Sequence, residues 1–516
     1  MQRLAGCTAM LALGCATPPP RMVLVLVDTL RADRLGVYGH SRSTTPALDA
    51  WAAEATVFET ARSPAPWTLP AARALLGAGA PENYTEDDTV VTRLAAAGWY
   101  THAVLANPNL SPAAGFGEGW HAVSMDDGAN ASAQIGRALE ALDEAPAGPT
   151  FILVHLMDPH LPYVEDAAYR GLWAGPAPSE RLQGAFTETQ LRAARLAGAA
   201  PLSAEERVYL AARYDQNVRA VDDALGPLLA RLRPTDTLIF TADHGEALGE
   251  DDHVGHGHAL SEPVVRVPLV VGGPGWHPGR VAGAVGLADV GATMLGVAGA
   301  TRPAAATGRD LRTDRGGHPM RLSHTRVGPA RIGLVSGQQK WVATLSRVAH
   351  FDLGIDPDED APRHAGWTTA EIDHWADAGG PPLDEVWGVA LAPAVEAATQ
   401  LAQPGVEAVT LRHPAGLASV NWPPSARGAR PDAAARGDGW RVTSAGPLPR
   451  ELWFRPLDPG SDPADATLVV RLRDEDKNGF DIPGVSLSVG RAPRWDPTTR
   501  AGGDPRSLEA LGYMQP

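Results

Sequence analysis

Two apolar runs, far apart in the chain, each end in residues able to hold a cation. Residues 22–27 (MVLVLV) run into Asp28-Thr29-Leu30-Arg31-Ala32-Asp33, and residues 237–241 (TLIFT) run into Ala242-Asp243-His244-Gly245-Glu246. Such runs read as buried strands of a parallel sheet, and an open α/β sheet keeps its ligand crevice at the carboxyl ends of its strands. Asp28, Asp243 and His244 are therefore expected to converge. Between them, Trp67-Thr68-Leu69-Pro70 sets a hydroxyl beside a proline at the expected start of a helix. Carboxylates, an imidazole and a hydroxyl meeting at strand ends are what a divalent metal needs to activate an oxygen nucleophile. Singly, each piece has a blander reading: an Asp after a strand is a turn residue or N-cap, and an Asp-His pair is a surface loop.

The elements that must position these residues are legible too. Residues 92–97 read as a helix stopped by Gly98, 101–106 as the next strand, 135–142 (IGRALEAL) as a helix and 150–156 (TFILVHL) as a buried strand. Residues 207–232 carry apolar side chains at helical spacing and predict one long helix leading into the Asp243 strand. After 267–271 comes a Gly-rich loop, then a mostly apolar helix over 287–297. Strand-helix repetition of this kind predicts a parallel sheet covered on both faces. From about residue 302 the character changes: 332–345 and 348–353 read as antiparallel strands. Beyond them 440–442, 451–454, 467–473 and 485–489 suggest a β-rich insert. Asp474–Gly479 opens like a calcium loop, but Val485 stands where a bidentate Glu is required, so a polar turn is the better reading.

At 516 residues, 44% hydrophobic and 20% charged, the chain can bury a full core and more than one domain. Its formal charge of −16 argues against nucleic acid or an anionic membrane surface as the main partner. The two cysteines, Cys7 and Cys15, lie in the first segment, which excludes a disulfide framework and a cysteine nucleophile in the body. A single Arg3 followed by a short apolar run ending Ala12-Leu13-Gly14-Cys15 resembles a bacterial lipoprotein signal, with Cys15 acylated and Thr17-Pro18-Pro19-Pro20 as a tether. The expectation is export and lipid anchoring in the cell envelope, with ordinary secretion as the alternative. No stretch approaches the ~20 apolar residues of a transmembrane helix.

Residues 22–300 resemble the sulfatase branch of the alkaline-phosphatase superfamily. The stretches that carry the resemblance, in the family's order, are VLVDTLRADRLGVYG, TTPALDAWAAEATVFETARSPAPWTLP, GWYTHAVLANPNL, VHLMDPHLPY, YDQNVRAVDDALGPLL, TADHGEALGE and GHGHALSEPVVRVPLVVGGPG. The resemblance implies an alkaline-phosphatase-like, doubly wound α/β fold with a mostly parallel sheet, a smaller C-terminal α+β subdomain and a β-rich insert. The segments would be 1–20 signal and tether, 21–301 catalytic domain, 302–374 subdomain, 375–500 insert and 501–516 a closing helix. The subdomain signature is matched around Lys340-Trp341 and by 352–359, and the closing helix by 508–513.

In sulfatases proper the helix-start motif is Cys or Ser, any residue, Pro, Ser, Arg, and its first residue is oxidised to formylglycine. Aligned on Pro70, this chain has Thr68-Leu69-Pro70-Ala71-Ala72, with Arg73 one place beyond. Thr68 cannot become formylglycine, so the chain resembles threonine-nucleophile members acting on phosphate esters or phosphonates, or as phosphoethanolamine transferases. Many of those carry Ser and His where Ala71 and Ala72 stand. A threonine hydroxyl must be activated, and the implied metal ligands are Asp28, Thr68, Asp243 and His244. Mixed oxygen and nitrogen ligands suit Zn or Mn better than Ca; Thr29 and His244 stand where calcium-using members carry Asp and Asn. His160 matches a family histidine that contacts the ester or protonates the leaving group, and His256 one that contacts a substrate oxygen. Asn107 stands where sulfatases proper keep a Lys, and with Arg73 completes the expected substrate contacts. Arg31 and Asp33 read as structural. The reading is a metal-dependent hydrolase of phosphate, phosphonate or sulfate esters of a small molecule, glycan or lipid, acting through Thr68. A phosphoethanolamine-type transferase and a non-catalytic binder of anionic glycans are the alternatives.

Overall fold

The computed structural model describes residues 18–359, except 164–165, 185, 187–190, 192–199, 251–252, 324, 327–330 and 344–347, together with strand backbones between 387 and 491. Among the described residues no helix is long and apolar enough to cross a membrane. The lipoprotein-like segment 1–17, the calcium-loop-like residues 474–478 and the expected closing helix 501–516 lie outside the described residues.

An eight-stranded sheet organises the first 300 residues. At its centre Arg21–Val27 lies between Thr150–Leu156 and Thr237–Ala242, parallel to both. All three strands are buried along their whole length. Their continuous apolar runs, without alternation, are what a strand covered on both faces requires. Tyr100–Leu105 and Ala122–Met125 extend the sheet in parallel on one side. On the other, Leu269–Gly272 runs antiparallel to Thr237–Ala242 and to Thr56–Phe58, so the sheet is mostly but not wholly parallel. Register decides what meets at the edge: Val27 pairs with both Leu156 and Ala242, which brings Asp28 and Asp243 side by side.

The expected helices form at Val90–Ala96, Ala131–Glu144, Ala204–Arg231 and Leu287–Ala298. The long one starts earlier than its apolar pattern indicates because Ser203 and Glu206 close a capping box, each side chain bonding the other's backbone N–H. Thr68–Gly77 packs on Leu287–Ala298. The approach is close enough that a Cβ at Gly291 would lie 2.1 Å from the Leu75 carbonyl oxygen. Ala71 and Ala72 are fully buried in this packing.

The C-terminal sheet joins Met320–Leu322, Ile332–Ser336, Gln339–Ala343 and Val348–Asp352 in chain order, all antiparallel. The run expected as one strand over 332–345 is two, because Gly337 turns the chain at φ +60 and Ser336 pairs with Gln339. Further on, two antiparallel sheets have four and five strands. Of the run expected at 485–489, Val485 ends strand Gly479–Val485 and Val489 begins strand Val489–Arg491, while 486–488 lie outside the described residues.

A buried ion cluster fastens the C-terminal sheet. Lys340 Nζ, fully buried, lies 2.9 Å from Glu262 Oε1 and 2.9 Å from Glu359 Oε1, and Arg62 forks onto Glu262 at 2.8–3.0 Å. Removing one member strands buried charge, which costs about 3–5 kcal/mol. Lys340→Met is expected to lower stability by about that amount in denaturant titration; a midpoint equal to wild type would show that the cluster carries no stability.

Candidate active site

Asp28, Asp243, His244 and His155, all fully buried, meet at the carboxyl edge of the three central strands. One ligand atom from each of Asp28, His155 and Asp243 can be chosen so that all lie within 4.8 Å of one another. His244 Nε2 lies 3.6 Å from Asp28 Oδ1, 3.4 Å from Asp243 Oδ2 and 3.4 Å from the Thr68 hydroxyl. His155 Nε2 lies 3.5 Å from Asp28 Oδ2. Atoms bound to one tetrahedral ion at about 2.0–2.1 Å sit roughly 3.3 Å apart, so these separations suit shared coordination. Asp28 Oδ1, Asp243 Oδ2 and both ring nitrogens of His155 have no hydrogen-bond partner despite burial. Buried polar atoms are otherwise nearly always paired. A divalent cation satisfies the two carboxylate oxygens and one His155 nitrogen together, and the residues fit one.

The remaining atoms of the cluster are held in place. Asn107 Nδ2 donates to Asp28 Oδ2 at 2.7 Å, and its oxygen accepts from Asn109 N at 2.9 Å. One amide hydrogen of Asn107 is left for an incoming oxygen. His244 Nδ1 lies 2.9 Å from the Gly245 carbonyl, which fixes the tautomer whose Nε2 lone pair faces the cluster. Thr29, at φ +57, turns the chain so that its N–H reaches Asp243 Oδ1 at 3.3 Å. The Tyr214 hydroxyl donates to the Thr29 carbonyl and accepts from Arg31 N. Arg31 in turn grips Asp33, Glu250 and the Glu246 carbonyl, so it ties the two strand-end loops together. Its reading as structural agrees with these contacts.

Thr68 is the first residue of its helix and is 3% exposed. Its hydroxyl sits where the helix dipole favours negative charge. Arg73, five residues on, is rotated about 140° away around a 3.6-residue helix. Its guanidinium lies over the Tyr84 ring, 5.9 Å from the centroid, rather than beside Thr68.

Three imidazoles line up beside the cluster: the His256 ring is 4.5 Å from that of His244 and 5.0 Å from that of His160. Burial would lower His160, but the carboxylates of Asp28, Glu246 and Asp243 outweigh it and raise the group, favouring imidazolium. Its Nδ1 is turned to the Leu161 carbonyl, leaving Nε2–H as the available proton. Burial and the charge of His160 push His256 down to about 3, so it is neutral. Glu246, fully buried, is pushed up to about 7 by burial, with Asp28's charge adding to it. Its Oε1 is 3.0 Å from His256 Nδ1. In the fraction of molecules where Glu246 is protonated it donates to Nδ1, and His256 Nε2 is then a hydrogen-bond donor. Burial and Asp28 push Asp243 up to about 7. Asp28 itself is held below the carboxylate range: burial opposes ionisation, and His155, His160 and His244 overcome it.

Thus Asp28, Thr68, Asn107, His160, Asp243, His244 and His256 come together, and Arg73 points elsewhere. His155 and Glu246 were not singled out by sequence reasoning. The signal for His155 was available: a lone imidazole inside the otherwise apolar run TFILVHL. Glu246 was visible only as part of a strand-end loop.

A doubly wound α/β domain with a carboxylate-imidazole cluster and a helix-borne hydroxyl at its strand ends defines the class: an ester hydrolase fold of the alkaline-phosphatase type. The Sulfatase family model matches residues 20–300, more than half of the chain, and the chain belongs to that family. A multifunctional alkaline phosphatase superfamily protein, PehA of Trinickia caryophylli, is 31% identical over 201 residues, covering 34% of this chain and 39% of PehA. The uncharacterized sulfatase YidJ of Escherichia coli K12 is 28% identical over 95 residues, 18% of this chain and 19% of YidJ. The chain thus matches well under half the length of these relatives. Among solved structures, the phosphonate monoester hydrolase of Agrobacterium radiobacter superposes with a TM-score of 0.52 at 19% identity, covering 70% of this chain and 93% of that one. A structure complexed with its substrate D-glucosamine-2-N,6-O-disulfate gives 0.54 at 15%, covering 70% and 95%. These two likenesses concern the fold.

Proposed function

We propose that this chain is a metal-dependent hydrolase of phosphate, phosphonate or sulfate esters with unmodified Thr68 as its nucleophile. The observation that carries the reading is the set of unpartnered buried atoms on Asp28, Asp243 and His155 beside a hydroxyl at a helix N-terminus. Asp28, Asp243, His244, His155 and Thr68 would hold the ion, which when bound supplies Lewis-acid polarisation and lowers the proton affinity of an oxygen nucleophile. Two imidazoles in the set favour Zn or Mn over Ca.

The chain's own groups divide the remaining work. Thr68 Oγ1, its proton released to solvent on activation, attacks phosphorus or sulfur, the bond to the ester oxygen breaks, and His160 Nε2 gives that oxygen its proton. The Asn107 amide and His256 Nε2–H stabilise non-bridging oxygens whose charge grows on attack. Water then displaces Thr68, giving one proton to the now neutral His160, and frees the acid product. Ala71 and Ala72 replace polar residues seen in relatives, yet here both side chains lie in the apolar core, so their change removes nothing from this cluster. That favours the catalytic reading over a degenerate binder.

Purified protein reconstituted with Zn or Mn should turn over at least one of a panel of nitrophenyl phosphate, phosphodiester, phosphonate and sulfate esters. Failure on every one, with metal bound, would overturn the proposal. His160→Gln should cost about 10²–10⁴-fold on alkyl esters, whose leaving oxygen needs a proton, and far less on nitrophenyl esters. Equal losses on both would remove His160 as the acid. As the general acid, His160 must carry its proton to act. Activity on alkyl esters should therefore fall on the alkaline side.

A further inference from the structure

A loop of the C-terminal sheet crosses to the catalytic domain and carries an arginine to the rim of this site. Two backbone hydrogen bonds place it. Ser323 N donates to the Pro64 carbonyl at 2.8 Å, on the segment leading into Trp67 and Thr68. Arg326 N donates to the carbonyl of Gly257, the residue after His256. The second contact is built for closeness: Gly257 has φ +82, and a Cβ there would lie 3.1 Å from Arg326 Cβ. The Arg326 guanidinium then lies over the Trp67 ring, 5.4 Å from its centroid, and Trp67 is the N-cap residue of the Thr68 helix. The loop is thus strung between the nucleophile wall and the His256 wall.

The charge on this rim has no established work. Arg326 is exposed, and among the described residues no carboxylate forms an ion pair with it. Arg31, by contrast, is buried and engaged by Asp33 and Glu250, and Arg73 lies over Tyr84. In a chain of formal charge −16, a cation fixed at the mouth is a local exception. A guanidinium stacked on an indole is held by cation–π attraction while its edge keeps its N–H donors free. Such an edge binds a carboxylate, sulfate or phosphate with two parallel hydrogen bonds.

We propose that Arg326, seated on Trp67, selects substrates bearing a second oxyanion beyond the ester that is cleaved. This deepens the hydrolase reading and rests on it. In a monoester everything beyond the reacting group departs with the leaving oxygen, so the second anion belongs to the leaving group. The favoured class is therefore an ester whose alcohol carries its own carboxylate, sulfate or phosphate.

The test compares 4-nitrophenyl phosphate with the same ester bearing a ring carboxylate, or the corresponding sulfates, whichever reacting group the panel finds. Wild type should prefer the carboxylated probe by about tenfold or more in kcat/KM. In Arg326→Met, which keeps an apolar stem over Trp67, that ratio should fall to about one, and Arg326→Lys should restore part of it. A ratio unchanged in Arg326→Met overturns the assignment, as does a wild-type ratio of one. Loss of turnover on both probes in wild type is instead a failure of the hydrolase reading. Equilibrium binding of both probes to Thr68→Ala, with and without Arg326→Met, then measures the same discrimination, and equal affinities overturn it.

Discussion

Replacing Thr68 by alanine is expected to lower turnover by about 10⁴-fold or more, the scale of loss when an enzyme's nucleophile is deleted. The fold should survive. The hydroxyl meets His244 Nε2 at 3.4 Å and the Asp243 carboxylate, so its loss costs on the order of 1 kcal/mol. Thr68→Ser keeps the attacking oxygen and should retain part of the activity. Intact-mass analysis should find Thr68 unmodified in the resting protein and carrying a phosphate- or sulfate-sized adduct during turnover. Full activity in Thr68→Ala would leave water or another residue as the nucleophile and end this mechanism.

Asp243→Ala is expected to abolish metal retention and activity together, measured as metal content per chain after gel filtration and as kcat/KM. Removing one of two carboxylates takes away a charge that repays desolvation of the cation and the backbone-anchored arm that Thr29 N and His244 N hold. Chelation of wild type should give the same inactive state, reversed by Zn or Mn. Metal content equal to wild type in the variant would remove Asp243 from the ligand set. Stability should move the opposite way in the stripped protein. Asp243 has its folded value pushed up to about 7 by burial and Asp28, so its ionisation opposes folding. The penalty is absent below about pH 4, grows through about pH 7 and is full above it. Metal-free Asp243→Asn should therefore melt higher than metal-free wild type at pH 8, and the difference should vanish at low pH.

The site illustrates how far local pattern reaches. Asp28, Asp243 and His244 were legible because each follows an apolar run long enough to be a buried strand, and strand ends are where such sheets bind. Thr68 was legible from its neighbouring proline and the resemblance around it. Arg73 was close in sequence but wrong in phase, since five residues along a helix face another side. His155 stands opposite Leu26 in register, one residue short of the strand end. A strand covered on both faces shows no alternation, so its pattern did not say where His155 faces.

What the sequence by itself determined is the order of elements and the ends that carry chemistry. Periodicity and apolar runs are short-range properties, and they specify strands, helices and the residues at their termini. The tertiary structure alone decided the register that sets Asp28 beside Asp243, the burial that leaves their oxygens unpartnered, and the coupling of Glu246 to His256. It also decided that a loop from the C-terminal sheet brings Arg326 to Trp67. Each of these depends on groups far apart in the chain, whose meeting is set by packing the whole domain and not by any local preference.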